Sequence, residues 1–118
     1  MKVPEWIPFD QQVARIGNHR WNVMRLVHLA KDLPVIQAPI DLIALDTTYN
    51  NICMRDMVMH MQAVQDADIT YPILLDENGF ILDGRHRLMR AMLFGIAVIP
   101  VKRFDVNPTP CEIVKDDD

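Results

Sequence analysis

Five consecutive residues, Asp83-Gly84-Arg85-His86-Arg87, have types and spacing that could do chemistry. They follow the apolar Phe80-Ile81-Leu82 and precede Leu88. A strand there delivers Asp83, Gly84 permits a sharp turn, and a helix begins beneath two arginines and a histidine. The first N–H groups of a helix have no partner inside it and carry a partial positive charge. Glycine lets a ligand come close to that backbone, while Arg85 and Arg87 add charge-assisted donors and His86 one or two more. Basic side chains at a helix start each cost roughly a few tenths of a kcal/mol, a cost offset when an anion sits among them. The chemistry this proposes is phosphate binding. The competing reading is a solvated helix start closed by a salt bridge from Asp83, and on spacing alone the two stand even.

The flanking elements must hold this box in place. Tyr71 to Leu75 reads as a strand, Asp76-Glu77-Asn78-Gly79 as a turn with a strong hairpin signal, and Phe80 to Asp83 as the return strand. The helix then runs to Phe94, with Gly95 as its C′ residue. Ile96 to Phe104 is a last strand, and Pro100 places it at an edge or an end. Upstream, the spacing predicts a helix from Met54 to Ala67 with an apolar stripe of Met54, Met57, Val58, Met61 and Val64, and a short strand over Ile40 to Ala44. Asp10 to Ile16 reads as a short helix stopped by Gly17, and Asn18 as the cap of a second helix ending near Asp32. Three segments result: an N-terminal arm with helices (1–37), a core (38–105) and an irregular acidic tail (106–118). The expected class is a small α/β or α+β domain, a mixed sheet flanked by helices.

The run Tyr71-Pro72-Ile73-Leu74-Leu75, the Asn78-Gly79 turn, Ile81-Leu82-Asp83-Gly84-Arg85-His86-Arg87, then Ala91, Gly95 and Ile99-Pro100-Val101 resembles the N-terminal domain of ParB proteins. Pro39-Ile40-Asp41-Leu42-Ile43 is similar to the first strand of that ParB/sulfiredoxin-like superfamily, and the likeness covers about residues 38–104. The resemblance implies a nucleotide site. Gly84 would make the backbone turn, and His86, Arg87 and Arg85 would meet the phosphates of ATP or CTP with magnesium. Asp83 is similar to the acidic residue of a free-serine kinase branch, which implies a catalytic or magnesium-holding role. Asp46 is implied in the same way as a second catalytic candidate. The activity open to such a site is nucleotide hydrolysis or transfer of the terminal phosphate. Two departures limit the likeness. Arg85 stands where sulfiredoxin has its reactive cysteine. The 118 residues leave no room after the box for the DNA-reading and dimerisation domains of partitioning proteins.

Composition sets the outer limits. A formal net charge of −4 argues against a strongly basic nucleic-acid binder. Yet residues 15–31 and 83–103 each carry +4, which suits a small polyphosphate better than a long polyanion. The alternatives are a nucleic-acid-binding or nuclease module using the same arginines, or a non-catalytic protein of this fold that binds a protein partner or a second copy. Two cysteines make no zinc spacing or disulfide framework, no signal core is present, and a cytoplasmic setting without a membrane is expected. Cys53 reads as a buried, inert thiol and His60 as a packed or surface residue. The eight methionines read as core filler first and a binding surface second. Asp41 and Asp76 are loop or strand-end carboxylates. Tyr49, Asn50 and Asn51 could meet a base or cap a helix. Trp21 could stack on a base beside Arg15, Arg20, Arg25 and Lys31, although a core position is favoured.

Overall fold

The structure, a computed structural model, describes residues 7–43 and 51–114. Its elements are β1 (Val13–Ile16), β2 (His19–Asn22), α1 (Val23–Leu29), β3 (Ile36–Pro39), α2 (Met54–Asp66), β4 (Ile73–Leu75), β5 (Ile81–Asp83), α3 (Arg85–Leu93), β6 (Val98–Arg103) and β7 (Glu112–Ile113). Single 3-10 turns occupy Phe9–Gln11 and Ile40–Leu42. The fold is α+β, with one antiparallel sheet in the order β1-β2-β7 and one mixed sheet in the order β3-β6-β4-β5.

Strands β4 and β5 explain how the two sheets share one body. Every residue of β4, Ile73-Leu74-Leu75, is buried. Side chains alternate along a strand, so Ile73, Leu75 and Ile81 pack with Leu88, Ala91, Ile99 and Val101 on one face. Leu74 and Leu82 face the other way, against Trp21, Val23, Leu26, Ala30 and Phe104. Ile73-Leu74-Leu75 of β4 and Ile81-Leu82 of β5 are therefore apolar on both sides, like strands covered on both faces. Asp76 starts the β4–β5 turn. Its carboxylate accepts from the N–H groups of Asn78 and Phe80 at 2.9 and 2.8 Å, and it is only 1% exposed. The loop carboxylate of the sequence is thus a turn-builder.

Several sequence expectations are corrected. Residues 13–22 form a hairpin, not the end of one helix and the start of another. Gly17, at φ +59°, and Asn18 are its two-residue loop between the paired Ile16 and His19. Glycine with positive φ at the first loop position matches a II′ turn. The cap of α1 is Asn22, whose side chain accepts from the Arg25 N–H at 3.0 Å. The strand expected over Ile40 to Ala44 lies earlier, at Ile36–Pro39. Strand β6 is interior rather than an edge. Pro100 is tolerated there because it sits opposite Gln37 of β3 and just before the β4 ladder, which opens at Ile73–Val101. The tail is partly ordered too: β7 pairs with β2, and the Trp21 indole N–H donates to the Pro108 carbonyl at 2.9 Å.

Candidate functional site

Gly84 links β5 to α3 in the left-handed region, at φ +106°. A Cβ built there would stand 2.9 Å from Ile73 Cγ1 and 3.3 Å from Ile73 Cα. Ile73 is fully buried in β4, so the neighbour cannot retreat. Both backbone conformation and space therefore require glycine. Gly84 brings no side chain to cap the start of α3, and no acidic residue lies in the helix's first turn.

This helix start opens on a cleft of about 660 Å³. Asp83, Gly84, Arg85, His86 and Arg87 lie along one wall. The rest of the lining is largely apolar and includes Phe9, Val13, Val23 and Val27. The structure thus brings together five of the six residues singled out by sequence. Asp46 lies outside the described residues, as do Tyr49 and Asn50. Asn51 is described and adopts a left-handed conformation, φ +58°, shortly before α2.

The basic residues differ in what they are free to do. Arg87 is braced: its guanidinium pairs with Asp83 at 2.8 Å and donates to the Pro72 carbonyl at 2.6 Å. Both partners of that pair are mostly buried, so Arg87 ties the end of β5 and the entry to β4 to the first turn of α3. Arg85 is exposed and makes no side-chain hydrogen bond among the described residues. Lys102 also lines the cleft, but its ammonium donates to the Ala30 and Lys31 carbonyls at the C-terminal end of α1, a favourable place for a cation. On the rim, Asp68 accepts from the Thr70 hydroxyl and N–H, which hold its carboxyl below the usual range.

His86 has a partner that sequence reasoning missed. His60 Nδ1, on α2, lies 2.8 Å from His86 Nε2. The residues are 26 positions apart on two helices, so no local spacing signals the contact. Burial, then the neighbouring His60 and Arg85, push His86 down to about 4. At neutral pH it is an uncharged hydrogen-bonding group rather than a cation.

The residues also bear on magnesium. Asp83 is committed to Arg87, and among the described residues no three His, Cys, Asp or Glu side chains converge on a common point. These side chains do not make a protein-held magnesium site by themselves.

Beyond the cleft, the Met54, Met57, Val58 and Met61 stripe is exposed, and Val64 is its one buried member. Met57, His60, Met61, Met89 and Leu93 instead line an apolar groove of about 450 Å³ between α2 and α3. Cys53 is exposed, against the expectation of a buried thiol. Trp21 is 1% exposed and cannot stack on a base. Among the described residues no helix is long and apolar enough to cross a membrane. Compared with protein-family models, with curated proteins and with solved structures, the chain matches none.

Proposed function

We propose that the cleft at the start of α3 binds the phosphates of a nucleoside triphosphate, ATP or CTP, in a domain of the ParB/sulfiredoxin-like kind. The observation that carries this reading is the glycine-led start of α3, with no side-chain cap from its own N-cap residue, opening on a cleft large enough for a small ligand. The N–H groups of the first turn serve the phosphate oxygens, and Arg85 supplies the mobile charge. Arg87, held by Asp83, fixes the shape of the turn and adds positive potential. His86 contributes a neutral N–H. Magnesium comes with the phosphates, as it commonly does when few carboxylates are on hand. Hydrolysis or transfer of the terminal phosphate would follow from positioning and charge at that site.

A second reading, a partner-binding protein without catalysis, is favoured by one specific observation, the exposed apolar groove between α2 and α3. Calorimetric titration with ATP, CTP and GTP, each with magnesium, separates the two. Submillimolar binding of at least one nucleotide, lost in Arg85→Ala with the fold intact, is the expected result. A folded protein that binds none of them at millimolar concentration overturns the nucleotide reading.

A further inference from the structure

Of the six asparagines in the chain, Asn78 alone is followed by glycine. That order matters chemically, because a backbone nitrogen can attack the carboxamide of the asparagine before it. Glycine has no Cβ to shield its nitrogen, and at Gly79 no atom lies within 4 Å of where a Cβ would stand. Asn78 is exposed, and its carboxamide makes no hydrogen bond among the described residues. The two residues form the tip of the turn between β4 and β5, with Gly79 in a left-handed conformation at φ +85°.

The turn holds that nitrogen in check. The Gly79 N–H donates to the Asp76 carbonyl at 3.1 Å, and an amide nitrogen attacks only after its proton has gone to solvent. Inside the turn, the Asp76 carboxylate accepts from the Asn78 and Phe80 N–H groups, and the Asp76 N–H donates to the Phe80 carbonyl at 2.8 Å. Outside it, Glu77 and Asn107 clasp each other. The Glu77 N–H donates to Asn107 Oδ1 at 2.8 Å, and the Asn107 N–H to the Glu77 carboxylate at 3.3 Å. Attack therefore waits for the turn to open, and the open fraction sets the rate. Opening also bears on a buried charge. Asp76 is 1% exposed and its Oδ2 has no partner among the described residues, so the two turn N–H groups are what compensate its carboxylate.

We propose that Asn78 is a site of spontaneous deamidation to isoaspartate, gated by opening of the turn at residues 76–79 and of its Asn107 clasp. In the open turn the Gly79 nitrogen gives its proton to solvent and bonds to Asn78 Cγ. The Cγ–Nδ2 bond breaks, and Nδ2 takes up a proton and leaves as ammonia. Water then opens the succinimide ring. Cleavage at the backbone carbonyl leaves isoaspartate, and cleavage at Cγ leaves aspartate. One water is consumed and one ammonia released, with no change of oxidation state. Isoaspartate carries the chain through Cβ and Cγ, which adds one methylene to the turn. The N–H groups of Asn78 and Phe80 then no longer meet the Asp76 carboxylate together, and that buried charge loses compensation. Strand β5 leads from this turn to Asp83 and Gly84, so the modification loosens the support of the cleft whatever the cleft holds.

The test incubates the wild-type chain at pH 7.5, native and in urea, and follows residue 78 by peptide mass spectrometry after chromatographic separation of isoaspartyl from aspartyl peptides. Isoaspartate is expected at residue 78, forming roughly tenfold or more slowly in the native chain than in urea. Asn22, followed by valine, is the internal reference and stays intact longer in urea. Asn107→Ala removes the side-chain half of the clasp. It is expected to speed the native reaction roughly threefold or more and to leave the rate in urea unchanged. No isoaspartate at residue 78 in urea overturns the site. Equal rates with and without urea, or an Asn107→Ala chain that ages like wild type, overturn the gate. The aged chain, separated from unreacted chain by its extra negative charge, is expected to unfold at lower urea than Asn78→Asp, which carries the charge on an unlengthened backbone. Equal midpoints overturn the damage to the turn.

Discussion

Helices α1 and α3 both begin directly after a strand and both carry arginine in the first turn, yet their starts are built in opposite ways. At α1 the chain closes the end itself. Asn22 caps the Arg25 N–H, the Val23 N–H reaches the Gln12 carbonyl, and the Arg25 guanidinium donates to Thr109 O at 2.7 Å. At α3 the residue before the helix is glycine, which has no side chain to offer, and no acidic residue follows. The first design spends polar groups on stability. The second leaves them facing a cleft and holds its shape from beneath through Arg87, Asp83 and Pro72. A strand-to-helix junction can thus be a structural joint or a binding surface, and the residue at the junction decides which.

The comparison can be broken most strongly at Gly84. Gly84→Ala places a methyl against Ile73 in a backbone conformation that alanine resists, and is expected to cost about 2–4 kcal/mol in urea unfolding. A cost below that of capping mutants would show that the junction relaxes freely. Acid comes next. His86 is held near 4 in the fold, below its ordinary 6.5, so the unfolded chain binds the extra proton between those values. Stability is therefore complete above about pH 6.5 and falls as the pH drops toward 4. The His86 share, discounted for its partial exposure, is about 1–2 kcal/mol. His86→Asn should flatten the loss measured between pH 7 and pH 5, and an unchanged slope would place the acid sensitivity elsewhere. At the closed junction, Asn22→Ala should cost about 1 kcal/mol by loss of the cap, leaving pyrophosphate binding at α3 untouched. The smallest effect concerns Cys111. The Asn22 N–H and Arg25 lower its thiol below the usual value. Arg25→Leu should slow its alkylation by iodoacetamide at pH 7.5 by a few-fold, with Cys53 in the same molecule as reference.

The sequence made the α3 side legible because its signals are local. Asn78-Gly79 marks the turn, Gly84 marks the entry to the helix, and Gly95, at φ +68°, marks its exit. Each is a backbone requirement written into one or two residues. The α1 side was misread because its strands are short and its partner is remote. His19-Arg20-Trp21-Asn22 has little strand pattern of its own, and it is completed by Glu112–Ile113 from the far end of the chain. Pro100 misled for a related reason, since its effect depends on where a neighbouring ladder begins. Of the site, the residues in the box were visible, but their division of labour was not. Only the fold shows that Arg87 is braced, that Arg85 is exposed, and that His86 has His60 behind it.

The pairing of β2 with β7 carries a consequence for how the protein assembles. Arg20 and Glu112, joined across that pair, lie 92 residues apart. Closing so long a span is entropically expensive before any contact offsets it, and such contacts slow folding. The β4–turn–β5–α3 unit needs no such closure. It can form early and present Leu74 and Leu82 as a platform. The β1–β2 hairpin is equally local, so the long closure falls on the docking of β7 alone, sealed when Pro108 reaches the Trp21 indole. The box that faces the cleft would thus be shaped before the C-terminal segment arrives.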